Sequence, residues 1–158
     1  MRVTVEPVAF GDKAVLRRLM QLYLHDMSEF TGDDVDAHGE FPYRYFDQYW
    51  APDAGEERYP LFIRTDGSLA GFALVRRAGD EWQMAEFFVM RRFRRSGIGG
   101  EAAVMVFRRF AGPWFVHQLE RNLPAQAFWP RVIGAFTGGT FKQGRDEWGT
   151  WQRFEVRG

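Results

Sequence analysis

The apolar residues of this chain change period several times, and each change marks an element. Val3 and Val5 alternate with polar residues before Pro7, the pattern of a short first strand. Val15, Leu16, Leu19, Met20, Leu22, Tyr23 and Met27 then recur at helical spacing behind Asp12, a residue suited to cap that helix. Phe30 to Glu40 holds Gly32, Gly39 and several acids and reads as a loop. Pro42 to Trp50 predicts a second, short helix with proline in its first turn, and Pro52 to Glu57 is polar and turn-rich. Tyr59–Arg64 and Leu69–Arg76 flank Asp66-Gly67, whose two positions both tolerate positive φ, so they predict a β-hairpin. Ala78-Gly79-Asp80 connects tightly to Trp82–Met90, an apolar stretch of β character. A glycine loop follows, then a helix running to Phe110 and ended by Gly112-Pro113. Trp114–Leu119 reads as a strand, and Pro124 opens a helix to about Ile133. Thr140–Arg145 and Trp148–Val156 read as two last strands around Asp146-Glu147.

This order predicts a single α/β domain over residues 1–158, with one mixed, mostly antiparallel central sheet of about seven strands flanked by about four helices. The segment from Trp82 to Leu119 is strand, loop, helix and strand, a crossover that makes its two strands parallel.

Composition narrows the class of function. The chain carries 21 basic and 21 acidic residues, and zero net charge argues against nucleic acid as a partner. No apolar run approaches the ~20 residues that cross a bilayer, so no membrane partner is expected. The N-terminus enters a strand at once rather than a signal peptide, and a cytoplasmic protein is expected. There is no cysteine, hence no disulfide, thiolate nucleophile or Cys-ligated zinc. His25, His38 and His117 are scattered, and no metal is expected. The charges are unevenly placed: no Lys or Arg lies between Arg18 and Arg44, where Asp26, Glu29, Asp33, Asp34, Asp36 and Glu40 fall, whereas Arg91, Arg92, Arg94 and Arg95 crowd the glycine loop.

That loop, Arg94-Arg95-Ser96-Gly97-Ile98-Gly99, lies between a strand and a helix N-terminus. Such a place presents unpaired N–H groups and the positive end of the helix dipole, and so suits a phosphate. Gly97 and Gly99 let a pyrophosphate approach the main chain. No Gly-Lys-Ser/Thr follows, which disfavours a nucleotide-hydrolysing P-loop, and the antiparallel hairpins ahead of the loop disfavour a dinucleotide fold. Together with the preceding Phe87-Phe88-Val89-Met90-Arg91-Arg92-Phe93 and the downstream Asn122, Ala127, Phe128 and Trp129, the loop resembles the signature of the GNAT superfamily of acyl-CoA-dependent N-acyltransferases. The element order agrees over nearly the whole chain.

The resemblance implies acetyl-CoA as co-substrate and direct transfer of its acetyl group to an amine in a ternary complex. Backbone groups from Arg95 to Gly100, within the loop that starts at Arg94, would hold the pyrophosphate. Main-chain atoms of Phe88 and Val89 would pair with the pantetheine arm like an added strand, and the Val89 N–H would face the thioester oxygen. Asn122 would bond the pantetheine region, with Phe128 and Trp129 lining it. A β-bulge near Phe88 would splay this strand from Trp114–Leu119. The family often carries a tyrosine where this chain has Phe128-Trp129, and can carry a glutamate where it has Gln83.

Glu86 is the candidate general base, an acid placed among Met84, Ala85, Phe87, Phe88 and Val89, where apolar neighbours raise a carboxyl pKa. The alternative is that Glu86 pairs with an arginine, or points into the open cleft with no chemical role. His117 is a secondary base candidate. The acids from Asp26 to Glu40, with Tyr23, Tyr43, Tyr45, Tyr49 and Trp50, suit a small-molecule or peptide amine of cationic character, the alternative being a solvated acidic loop beside a helix with ordinary core aromatics. The alternative function is a CoA-binding regulatory or partner-binding module without efficient turnover. A monomer and a homodimer are both compatible with the chain.

Overall fold

A computed structural model describes residues 1–51 and 55–158; residues 52–54, the first part of the turn-rich Pro52–Glu57 segment, lie outside the described residues. Seven strands form one sheet in the order β1-β2-β3-β4-β5-β7-β6. They are β1 (Val3–Pro7), β2 (Arg58–Thr65), β3 (Ser68–Ala78), β4 (Glu81–Val89), β5 (Gly112–Leu119), β6 (Lys142–Arg145) and β7 (Gly149–Val156). Among the described residues the α-helices are α1 (Lys13–Thr31), α2 (Ile98–Arg109) and α3 (Leu123–Thr137).

The expected hairpin is present: Asp66 and Gly67 both take positive φ, 50° and 83°, between β2 and β3. Every neighbouring pair is antiparallel except β4 and β5, which run parallel as the crossover requires. That parallel pairing is short. It joins Trp82 to Trp114 and Gln83 to Phe115, after which the two strands part.

Local chemistry accounts for several differences from the expected elements. The Pro42–Trp50 helix reduces to a 3-10 turn over Phe46–Trp50, because Phe46 and Tyr49 are drawn into the core and aromatic residues supply little intrinsic helicity. Asp12 ends a 3-10 turn before α1 and makes no capping bond through its side chain. α1 runs on to Thr31 and stops where Gly32 turns left-handed, at φ 74°. α3 likewise passes Ile133 to Thr137 despite Pro130 within it.

The two faces of the sheet bury separate cores. α1 covers one with Leu16, Leu19, Met20 and Tyr23 against Phe62, Phe72, Leu74 and Phe88. α2 and α3 cover the other with Val106, Phe107, Trp129 and Ile133 against Val75, Trp82, Met84 and Trp114. No helix among the described residues is long and apolar enough to cross a membrane.

Candidate functional site

The register between β3 and β4 slips once. Leu74 faces Glu86 and Val75 faces Met84, so Ala85 is the extra residue of a β-bulge. The bulge was expected near Phe88; it lies at Ala85, because the pairing of Phe88 with Phe72 is regular. Its consequence is directional. Side chains alternate along a strand, so a regular β4 would put Glu86 on the face of Trp82 and Met84. The extra residue moves Glu86 to the α1 face, in register with Phe88.

There Glu86 meets aromatic hydroxyls. The Tyr23 hydroxyl donates to Glu86 Oε2 at 3.3 Å. Burial pushes the Glu86 carboxyl up to about 8, against the Tyr23 hydrogen bond and the Arg76 charge, which both favour the ionised form. The same setting raises three phenols above their ordinary range: Tyr23, Tyr43 and Tyr49, first through burial and next through the negative charge of Glu86.

Glu86 lies in a cleft of about 750 Å³ that opens where β4 and β5 part. Asn122 lines it from the N-cap of α3, Trp129 from within α3, His117 and Gln118 from β5, and Asp33 and Asp34 from the acidic loop. Gln21 holds that loop in place: its amide donates to the Phe41 carbonyl at 2.8 Å and accepts the Phe41 N–H at 2.7 Å. Of the other acids there, Glu40 pairs with Arg17, and Asp36 accepts the N–H groups of His38 and Glu40. The His117 ring is 3.1 Å from Asp146, whose carboxyl is held below the usual range chiefly by that contact.

At the far end of β4 the glycine loop leads into the start of α2. Arg95 and Gly97 are left-handed, at φ 63° and 81°, and α2 begins at Ile98. Among the described residues, no N–H from Arg95 to Gly100 donates to another protein group; the first N–H committed to the helix is that of Glu101, to the Gly97 carbonyl at 3.1 Å. Consecutive free N–H groups at a helix start are what an anion requires. Closeness is enforced at Gly99, where an added Cβ would sit 3.3 Å from the Phe128 ring. The Ser96 hydroxyl turns inward to the Phe93 carbonyl at 2.6 Å.

Arg94 is engaged locally. It donates to the Val89 carbonyl at 2.8 Å and to Asp26 at 2.7 Å, while Arg91 reaches the other Asp26 oxygen at 2.8 Å. Burial would raise the Asp26 carboxyl, but hydrogen bonds and charge from Arg94 and Arg91 outweigh it and hold it low.

Main-chain alternation divides β4. The Met90 N–H donates to the Ala70 carbonyl, and the Phe88 carbonyl points at Gly71, where an added Cβ would fall 1.8 Å from it. Phe88 therefore turns its main chain toward β3, and Phe87 and Val89 turn theirs toward the split. Phe87 also stacks on Phe128 at 5.9 Å and meets Trp129 edge-on at 5.0 Å, tying β4 to α3. The Asn122 side chain accepts the Ala125 N–H at 3.1 Å and so caps α3.

Sequence reasoning missed Arg58 and Arg76, which line the cleft floor, and did not pair Tyr23 with Glu86. Both depend on cross-strand register that no local pattern carries. Among the described residues, no three His, Cys, Asp or Glu side chains converge to hold a metal ion.

The chain's residues 16–135 match the model of the acetyltransferase (GNAT) family. Comparison with curated protein sequences gives no match. Solved structures share the fold. An acetyltransferase from Thermus thermophilus superimposes with a TM-score of 0.71 at 14% identity, covering 99% of this chain and 98% of the other. A PaiA N-acetyltransferase from Thermoplasma acidophilum, in complex with coenzyme A, gives 0.61 at 11% identity over 99% and 100% of the chains. An aminoglycoside 6'-N-acetyltransferase complexed with coenzyme A gives 0.59 at 12% identity over 98% of each. With the family model spanning most of its length and the same architecture throughout, this chain belongs to the GNAT acetyltransferase family.

Proposed function

We propose that the protein transfers the acetyl group of acetyl-CoA to an amine in one ternary complex. The observation that carries this reading is an arrangement along one strand: the half-buried Glu86 lines the cleft where β4 leaves β5, and the loop of free N–H groups from Arg95 to Gly100 follows the end of β4. The two structural neighbours complexed with coenzyme A support a CoA thioester as the donor.

Free N–H groups from Arg95 to Gly100 would hold the pyrophosphate, and Gly99 lets Phe128 pack close against the start of α2 that carries them. Phe87 and Val89, whose main chains face the split, would pair with the pantetheine arm; Phe88 would contribute from the β3 side only. The Val89 N–H would stabilise the developing oxyanion. Asn122 and Trp129 would line the arm, with Phe128 behind Gly99.

An incoming ammonium must lose a proton before it attacks. Glu86 takes that proton, directly or through one water, and its raised pKa makes it a usable base near neutral pH. Neither Phe128 nor Trp129 has a hydroxyl, so the departing thiolate takes its proton from solvent at the mouth of the split.

That missing hydroxyl favours one second reading, a CoA-binding module with little turnover. Incubation with acetyl-CoA and a panel of polyamines, aminoglycosides, amino acids and peptides, monitored for free thiol, separates the two. Acceptor-dependent thiol release supports transfer; measurable CoA binding without it from any amine supports the module.

A further inference from the structure

Two strands of the sheet place like charge in register along the cleft, and a third adds a neutral amide. Arg58 of β2 lies directly opposite Arg76 of β3, which lies opposite Gln83 of β4. Like charges facing each other across a strand pair repel, so this arrangement calls for anions. Among the described residues one carboxylate answers. Glu56 lies 3.2 Å from Arg58 and 3.4 Å from Arg76, both longer than the ~2.7–2.9 Å of a well-formed charge-assisted bond. Arg76 spends two further donors on the Gln83 side-chain oxygen Oε1, at 3.1 and 2.9 Å.

Arg58 is the more telling of the two. Its side chain is only 7% exposed, and its Nη1 is sealed from water with no hydrogen-bond partner among the described residues. A desolvated guanidinium N–H without an acceptor is costly, and solvent cannot satisfy it. Arg58 and Arg76 both line the cleft that holds Glu86. Arg76 stands diagonal to Glu86 across the β3–β4 pair, roughly 7–8 Å away at the backbone. Opposite charge lines the same cleft at Asp33 and Asp34, both exposed to solvent.

From this polarity we infer that the acceptor is a small amine carrying its own carboxylate, of the amino-acid class, with its carboxylate over the Arg58–Arg76 row and its amine at Glu86. The planar fork of an arginine suits a carboxylate, and the row itself has only the long carboxylate contacts to Glu56 among the described residues, with the Arg76 side chain 36% exposed. Asp33 and Asp34 draw the ammonium end in first. The cleft thus selects a zwitterion over a polyamine, which the acids alone would have favoured. This inference rests on the acetyl-transfer reading for its naming of the amine end.

The test is binding to the CoA-loaded protein, read by calorimetry, of the common L-amino acids beside their carboxamides and decarboxylated amines. At least one acid binds about tenfold or more tightly than its amide, and Arg58→Gln or Arg76→Gln brings the acid-to-amide ratio toward one. Should Arg58→Gln fail to fold, Arg58→Lys keeps the charge, loses the fork and still lowers the ratio. If every acid that binds is matched by its amide or decarboxylated amine the inference is overturned, as it is if no acid binds. Thiol release from amines lacking a carboxylate would leave acetyl transfer standing while this inference fell. Carboxylate-selective binding without thiol release would do the reverse.

Discussion

The Tyr23 hydroxyl of α1 donates to Glu86 Oε2 of β4 at 3.3 Å, in a setting that pushes the carboxyl up to about 8. A base works in its ionised form, so kcat/KM for acetyl transfer rises with pH and levels off above about 8. Tyr23→Phe removes a donor that favours the carboxylate, so the rising limb moves to higher pH. A hydrogen bond is worth about 1 kcal/mol, which lowers the rate at neutral pH about fivefold and leaves the plateau nearly unchanged. A pH–rate profile that does not move on this substitution would remove Tyr23 from the reaction.

Glu86→Gln separates chemistry from binding. The amide keeps the shape and cannot accept the proton, so kcat falls by roughly 10²–10³ while the Kd for CoA stays within about twofold. The same variant has a stability signature. In the folded state Glu86 holds its proton up to about 8, whereas unfolded it releases it near 4.5. The folded state therefore binds more protons between those values, and stability declines as pH rises through that window, then levels. Glu86→Gln lacks this decline. Its melting temperature relative to the parent should increase from pH 5 to pH 9, by the equivalent of a few kcal/mol at most.

What could be read without coordinates depended on range along the chain. The Asp66-Gly67 hairpin, the parallel crossover and the loop before Ile98 are local, set by turn chemistry and period, and each appears where the residues place it. Glu86 stood out because one acid interrupts an apolar strand. Its surroundings did not, because the slip at Ala85 decides which face it occupies, and a bulge leaves no mark in an apolar run. Arg58 and Arg76 are far apart in sequence and look like ordinary strand-end arginines until β2 pairs with β3. Arg94, assigned from the motif to the anion, is engaged with Asp26 and the Val89 carbonyl, contacts fixed by how α1 crosses the sheet.

Gly99 and Gly97 serve the proposed anion cradle differently, and substitutions tell them apart. A side chain at Gly99 meets the Phe128 ring at 3.3 Å and Val89 at 3.7 Å, so Gly99→Val pushes α2 away from α3 and fills the approach to the N–H groups. Gly97 has nothing within 4 Å of an added Cβ, but its φ of 81° strains any L residue. Gly97→Ala therefore costs about 1 kcal/mol in folding and changes CoA affinity little, whereas Gly99→Val or Gly97→Glu weakens it more than about tenfold. Calorimetric titration with CoA reads all three. Unaltered affinity in both Gly99→Val and Gly97→Glu would sink the cradle assignment.

Asp26 is the last link, between helix and loop. Its carboxylate receives Arg94 and Arg91 at 2.7 and 2.8 Å with its side chain 20% exposed, and Arg94 also holds the Val89 carbonyl at the end of β4. The paired charges keep its carboxyl below the usual range, so their contribution is present above the unfolded carboxylate pKa and is lost as pH falls through the lower folded value. Asp26→Asn keeps the size and removes the charge. It should destabilise the protein by about 1 kcal/mol at neutral pH, a fall of about 3 °C in melting temperature, and by less in strong acid. It also leaves Arg94 without its helix anchor, so the start of the glycine loop loosens and CoA binds several-fold more weakly. If the freed arginines instead tightened CoA binding, their role would be to neutralise the ligand's phosphates, and Asp26 would be holding them back from it.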